Sequence, residues 1–259
     1  MKVVILAGGF GTRLSEETSI RPKPMVEIGG RPILWHIMKI YSAYGLNEFV
    51  ILGGYKIDHI RSYLINYRQS ISNFTVDFAS GDISYHDMNV EPWRVTILDT
   101  GLNTMTGGRV KRARDLIGNE PFCLTYGDGL TDLDIKKVID FHLKAGALAT
   151  VTAVAPPGRY GVLGLSDSGS LVSAFREKDH TDVGLINGGY FICEPAVFDL
   201  IEDDATVWEQ GPMRRLVEMG KLAAYHHKGY WQSMDTLRDK AVLEEAWASG
   251  KAPWAVWER

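Results

Sequence analysis

Three short stretches of the chain carry residue types suited to holding an anion. LAGGFGTRL (residues 6–14) sets Gly8, Gly9 and Gly11 directly behind an apolar run, with Thr12 and Arg13 following. Glycines in that place let backbone N–H groups approach an anion with no Cβ in the way, and Arg13 adds a bidentate donor. A Walker loop needs Lys and then Ser or Thr after its last glycine, and a dinucleotide loop needs a third glycine two residues beyond the second; Thr12, Arg13 and Leu14 satisfy neither. Taken alone, the segment also fits a tight turn with a surface arginine. RPKPM (residues 21–25) flanks Lys23 with prolines, which stiffen the backbone and hold a cation near the same loop. YGDG (residues 126–129) ends an apolar run with Asp128, a carboxylate able to reach a metal ion or to serve a turn.

Other stretches admit two readings each. In MTGGR (residues 105–109), Thr106 is a side-chain donor or a helix cap, and Gly107 and Gly108 allow backbone to approach a planar group. Asp235 in SMDTLRD is placed to cap the last helix through its side chain. FREKD carries Glu177 and Lys178 at a strand end, an exposed ion pair on its own terms, and INGGYF carries Asn187, Gly188 and Gly189, a turn on its own terms. His226 and His227 point to opposite faces of a strand and make a poor metal pair. RVKRAR (residues 109–114) reads as a solvated helix face, and the seven tryptophans as core or subunit contacts.

The elements that must position these residues alternate. KVVILA (2–7) is a continuous apolar, β-branched run of the kind buried on both faces of a parallel sheet. A helix over 32–45 follows, with Pro32 in its first turn and Gly45 at its stop. Then come a strand at 48–54, a helix at 55–67, strands at 74–79 and 94–101 joined by a polar connection, a helix over 107–118, a strand at 122–129, a helix over 133–146 and a strand at 147–157. The alternation predicts an α/β fold with an open sheet, whose ligands sit at the carboxyl ends of the strands. Beyond residue 158 the pieces shorten: strands YGVLGL, LVSAFREK and INGGYFICE, a helix over 195–202, a strand LAAYHHKGYW and a last helix from about Thr236. With no repeat or linker in view, the chain reads as one domain.

Composition narrows the function classes. The chain has 259 residues, 45% hydrophobic and 23% charged, enough for a sizeable core. A net charge of −4 argues against binding nucleic acid through bulk positive charge and leaves any phosphate to be met by a local pocket. No apolar run is long enough to span a membrane and no signal peptide is visible, so a cytoplasmic protein with no membrane partner is expected. Cys123 and Cys193, each inside an apolar run, are expected in the core.

LAGGFGTRL followed by RPKPMVEIGGRPIL resembles the signature of the sugar-1-phosphate nucleotidyltransferases, the pyrophosphorylases that make nucleoside-diphosphate sugars. The resemblance runs through VEPW, DTG, MTGGRVKR, TYGDGLTDLDIK, PPGRYG, INGGYF, DDATVWEQ, MDTLRDK and GKAPW, nearly the whole length. It implies a Rossmann-like, mostly parallel sheet of the glycosyltransferase-A-like type, with added short strands and a C-terminal helical segment. Residues from about 1 to 157 would bind nucleotide, and those from about 158 to 259 the sugar. The implied reaction joins CTP and α-D-glucose 1-phosphate into CDP-glucose and pyrophosphate; dTTP or UTP is the alternative nucleotide, and a catalytically silent sensor the alternative function.

By the same resemblance, Arg13, Lys23 and Asp128 are catalytic, and Mg²⁺ is held by Asp128 and Asp235. Leu6, Ala7, Gly8, Gly9, Gly11 and Thr12 would cradle the nucleotide together with Arg13 and Lys23, while Thr106, Gly107 and Arg109 face its base. Tyr126, Gly127, Glu177, Lys178, Asn187, Gly188 and Gly189 would contact the sugar phosphate. Asp179 departs from the family's usual Glu-Lys-Pro and changes the expected shape of that loop. A homo-oligomer, a hexamer, is implied as well.

Overall fold

The computed structural model describes residues 1–86, 90–156 and 184–258, together with the backbone of Val162–Leu165 and Val172–Arg176. Its centre is a seven-stranded sheet. In chain order the strands are β1 (Val3–Ala7), β2 (Glu48–Gly53), β3 (Arg94–Asp99), β4 (Phe122–Tyr126), β5 (Ala149–Val154), β6 (Ile186–Cys193) and β7 (Leu222–His227). Across the sheet they lie in the order β7-β5-β6-β4-β1-β2-β3. β1 pairs in parallel with β2 and β4, β2 with β3, and β5 with β7, while β6 runs antiparallel between β4 and β5.

The continuous apolar runs of the sequence are these interior strands: every residue of β1 is buried, and Cys123 and Cys193 lie inside β4 and β6. One core gathers on one side of the sheet around helix α1 (Ile33–Ser42), with Leu14, Tyr41 and Trp254. The other, with Phe122, Phe198 and Trp208, is covered by α3 (Thr106–Arg112) and α5 (Gly211–Glu218). Helices α2 (Ile57–Ile65), α4 (Ile135–Ala145) and α6 (Leu237–Ala248) complete the longer helices of the described residues.

Several expectations are corrected. The segment at 74–79 does not enter the sheet: Phe74–Val76 pairs only with Ile83–Tyr85, in a separate hairpin built from part of the expected polar connection. The 195–202 segment is a 3-10 turn, Pro195–Leu200, and α5 lies where no helix was expected. LAAYHHKGYW is two strands, β7 and Trp231–Ser233. RVKRAR is a solvated face only in part, with Arg112 and Arg114 exposed. Arg109 is buried, Lys111 donates to the carbonyls of Ile201 and Glu202, Arg112 pairs with Asp204, and Arg114 with Asp199.

Candidate active site

β1 ends at Ala7 beside the ends of β4 and β2, and the glycine-rich loop opens there. Gly11 has φ 64° and ψ 35°, and a Cβ on it would lie 2.7 Å from Thr18 Cγ2, so only glycine fits both the backbone and the space. The turn is held by Leu14 N–H donating to Gly11 O at 3.0 Å and by the Thr18 hydroxyl at 3.1 Å from the same oxygen. This geometry projects Arg13 over the cleft.

Two cavities meet at the strand ends. The larger, about 590 Å³, is lined by the loop from Leu6 to Arg13, by Lys23, by Leu102 to Thr106, and by Arg109, Tyr126, Gly127 and Asp128. The smaller, about 260 Å³, is lined by Asn187, Gly188, Gly189, Trp231, Ser233 and Asp235 among others, and shares Arg13, Tyr126 and Asp128 with the larger.

Four charges sit at the junction. Lys23 Nζ lies 2.6 Å from Asp128 Oδ2 and 2.8 Å from Asp235 Oδ1, and Arg13 Nη2 lies 3.0 Å from the same Asp235 oxygen. Burial alone would lower the Lys23 pKa, but the charges and hydrogen bonds of Asp128 and Asp235 outweigh it and raise it. Burial likewise opposes ionisation of Asp235, yet Lys23 and Arg13 hold its pKa below the ordinary value. The cluster is neutral as it stands, two cations against two carboxylates. The ammonium at the convergence of the carboxylates marks where a divalent cation fits, since Mg²⁺ takes one or two carboxylates and leaves its remaining positions to phosphates and water.

Residues more than a hundred positions apart meet here through one short ladder. Gly129–Thr131 pairs antiparallel with Trp231–Ser233, and Met234 N–H donates to Asp128 O at 2.9 Å, which draws Asp235 up beside Asp128. Gly127 lets the Lys23–Pro24 turn lie against the end of β4: a Cβ there would sit 2.8 Å from Leu6 O and 2.9 Å from Pro24 Cγ. Asp235 does not cap α6. Thr236 does, in a capping box with Asp239, which also accepts the Asp235 N–H and so leaves the Asp235 carboxylate to the cleft.

The base-side residues turn out differently from one another. Thr106 reaches the larger cavity, but Gly107 is absent from its lining; a Cβ on Gly107 would meet Thr206 O at 2.7 Å, and one on Gly108 the Asp204 Cα at 2.5 Å. The backbone these glycines admit is the chain's own. Arg109 is a brace under the loop, donating to Gly53 O, Thr100 Oγ1, Gly101 O and Leu102 O, with its guanidinium so close to Gly8 that a Cβ there would lie 2.2 Å from Nη1. Asn187, Gly188 and Gly189 line the smaller cavity as a group, Gly189 at φ 79°. Glu177, Lys178 and Asp179 lie outside the described residues.

Residue-level reading missed four contributors. Phe10, Leu102 and Met105 are about half exposed, yet they line the larger cavity, where they offer flat apolar surface to a planar ring. Trp231 donates from Nε1 to Gly188 O at 2.7 Å and walls the smaller cavity. An apolar side chain next to a glycine loop that itself binds nothing apolar was the available signal for the first group; Trp231 had none. His227 is engaged with Asp132 and the Tyr230 carbonyl.

A family model described as nucleotidyl transferase matches residues 2–239. The chain is 54% identical over 259 residues to glucose-1-phosphate cytidylyltransferase of Salmonella typhi, covering all of both chains. It is 43% identical over 258 residues to a probable glucose-1-phosphate cytidylyltransferase of Bacillus subtilis (strain 168), covering 99% of this chain and 100% of that one. Among solved structures, HddC from Yersinia pseudotuberculosis matches with a TM-score of 0.68 and 27% identity over 95% of this chain and 99% of that chain. A glycine-rich loop, a bridging lysine and paired carboxylates at the ends of a mostly parallel sheet thus accompany a match over most of the sequence, and the chain belongs to the nucleotidyl transferase family.

Proposed function

We propose that the protein transfers the cytidylyl group of CTP to α-D-glucose 1-phosphate, releasing pyrophosphate and CDP-glucose. The observation that carries this reading is the pair of cavities sharing Arg13, Tyr126 and Asp128, one with room and apolar surface for a nucleotide, the other lined by amide and backbone groups suited to a hexose. The two relatives named as cytidylyltransferases support the choice of nucleotide and sugar.

A phosphate oxygen of glucose 1-phosphate attacks the α-phosphorus of CTP. The new P–O bond forms as the bond to the bridging oxygen breaks, and its electron pair leaves with pyrophosphate. The nucleophile is already an anion, so no general base is required. The difficulty is bringing two highly charged groups together. Lys23 draws the attacking and transferred phosphates together, the loop N–H groups and Arg13 hold the departing pyrophosphate, and the shared wall at Tyr126 keeps the two substrates in register. Members of the family generally use a divalent metal; here Mg²⁺ on Asp128 and Asp235 would supply the positive charge that the neutral cluster lacks.

We further propose a homo-oligomer working in the cytoplasm, where CTP is available. The exposed apolar side chains of the hairpin, Phe74, Phe78 and Ile83, support self-association, and light scattering of the purified protein tests it. The assigned reaction is tested by pyrophosphate release from glucose 1-phosphate with CTP, UTP, dTTP, ATP and GTP in turn, with Mg²⁺ present and then chelated. Mg²⁺-dependent release with CTP alone is expected. Release only with UTP or dTTP moves the base choice, and none with any nucleotide favours a silent relative.

A further inference from the structure

Glu209 belongs to neither cavity lining, yet it ties them together. Its Oε2 accepts from Thr106 Oγ1 at 2.7 Å and its Oε1 from the Tyr126 hydroxyl at 2.6 Å. The Tyr126 oxygen accepts in turn from Asn187 Nδ2 at 3.1 Å, and Asn187 Oδ1 accepts the Gly189 N–H at 2.8 Å. The run of hydrogen bonds therefore crosses from the first residue of α3, in the nucleotide cavity, to the turn that walls the sugar cavity.

The direction of each bond explains why a carboxylate stands there. Thr106 Oγ1 already accepts from Trp208 N–H at 3.0 Å, and Tyr126 already accepts from Asn187, so each hydroxyl has its own proton left to give. An ionised carboxylate accepts both. A glutamine has one acceptor oxygen and would turn an N–H toward the other hydroxyl. The segment is also fixed rather than loose: the neighbouring Trp208 is fully buried, and the backbone of Asp204 and Thr206 is seated on Gly108 and Gly107. An exposed carboxylate needs no protein partner to stay solvated, so two bonds under 3 Å to hydroxyls of cavity-lining residues point to positioning rather than to support of the fold.

We infer that Glu209 is a positioning residue of the transfer reaction: its carboxylate fixes Tyr126, and through it Asn187, on the sugar-phosphate side while anchoring Thr106 on the nucleotide side. This rests on the reaction proposed above, and binding of glucose 1-phosphate is the step it serves most directly.

The test measures pyrophosphate release with each substrate varied separately for Glu209→Gln, Tyr126→Phe and the double variant. Glu209→Gln is expected to raise KM for glucose 1-phosphate about ten-fold, with kcat within about three-fold, the split expected of a lost binding contact. The melting temperature should stay within about 2 °C, because the side chain is exposed. Tyr126→Phe should raise KM for glucose 1-phosphate to a similar extent, and the double variant should raise it no further than the larger of the two single effects. Unchanged KM values, additive effects in the double variant, or KM for both substrates rising together with a fall in melting temperature would each overturn the inference. Amide exchange in the absence of substrate provides an independent check: Glu209→Ala should lower protection of the Trp208 and Gly189 N–H groups, and unchanged protection at both overturns the inference. If wild type releases no pyrophosphate at all, the assigned reaction falls, and the exchange data still decide whether Glu209 holds the two walls together.

Discussion

At the residue scale the site is governed by a charge balance. Arg13 and Lys23 are balanced by Asp128 and Asp235, with the Lys23 ammonium lying between both carboxylates. Replacing Lys23 with methionine keeps the stem and removes the charge, leaving Arg13 as the cation beside Asp235 and, among the described residues, none paired with Asp128. Turnover is expected to fall on the order of 10² to 10³-fold, the usual cost of losing one electrostatic donor. Asp235→Asn should show a loss of similar size with a near-normal melting temperature, because Thr236 and Asp239 cap α6 without it. Single-turnover rates with the folded variants check both, and wild-type rates in either would sink the roles assigned. Arg13, Lys23 and Asp128 were legible in the sequence because each stands in a short motif whose neighbours, glycines or prolines, dictate its presentation. Glu209 was not, because a single acidic residue looks like solvent-facing charge, and its partners Thr106 and Tyr126 are remote in the chain.

At the scale of elements, what positions the site is how closely backbone segments approach. Gly108, on α3, meets the chain at Asp204, where a Cβ would lie 2.5 Å from Cα and 2.6 Å from O. Backbone on both sides cannot yield by a rotamer change, so Gly108→Ala should push the 203–209 segment off α3 at a cost of about 1–3 kcal/mol. That corresponds to a drop of roughly 3–10 °C in melting temperature for a chain of this size, read by calorimetry. Since the same segment carries Glu209, KM for glucose 1-phosphate should rise with it; a stable variant with normal KM would show that the contact is dispensable. The parallel strands were legible because burial on both faces makes them continuous apolar runs. The reversal of β6 was not, since its run of apolar residues is the same read in either direction. Helix α5 escaped because Gly211 and Pro212, residues that usually break a pattern, form its first turn.

At the scale of the molecule, the chain's last residues return to the segment that leads out of the site. Trp247, Trp254 and Trp257 pack around His36 on α1, and Trp247 fits against Gly29 so tightly that a Cβ there would lie 2.0 Å from its ring. His36 is fully buried. Its Nε2 donates to Ile28 O at 2.9 Å and its Nδ1 accepts from Trp254 Nε1 at 3.3 Å, which fixes the neutral tautomer. Burial, reinforced by the charge of Arg31, lowers its pKa from 6.5 to about 4 despite the bond to Ile28. Between those values the unfolded chain carries a proton at this position that the folded chain refuses, so acidification favours unfolding. The contribution is fully present above about pH 6.5, declines as pH falls, and is gone below about 4. From pH 7 to pH 5 it amounts to about 2 kcal/mol. A glutamine at position 36 can still donate to Ile28 and accept from Trp254 but does not titrate. His36→Gln should therefore lose less stability than wild type over that interval, by roughly the same 2 kcal/mol, in denaturant unfolding at the two pH values. Parallel losses in the two proteins would mean that His36 takes up its proton without disturbing the aromatic cluster, and that the C-terminal segment is held by packing alone.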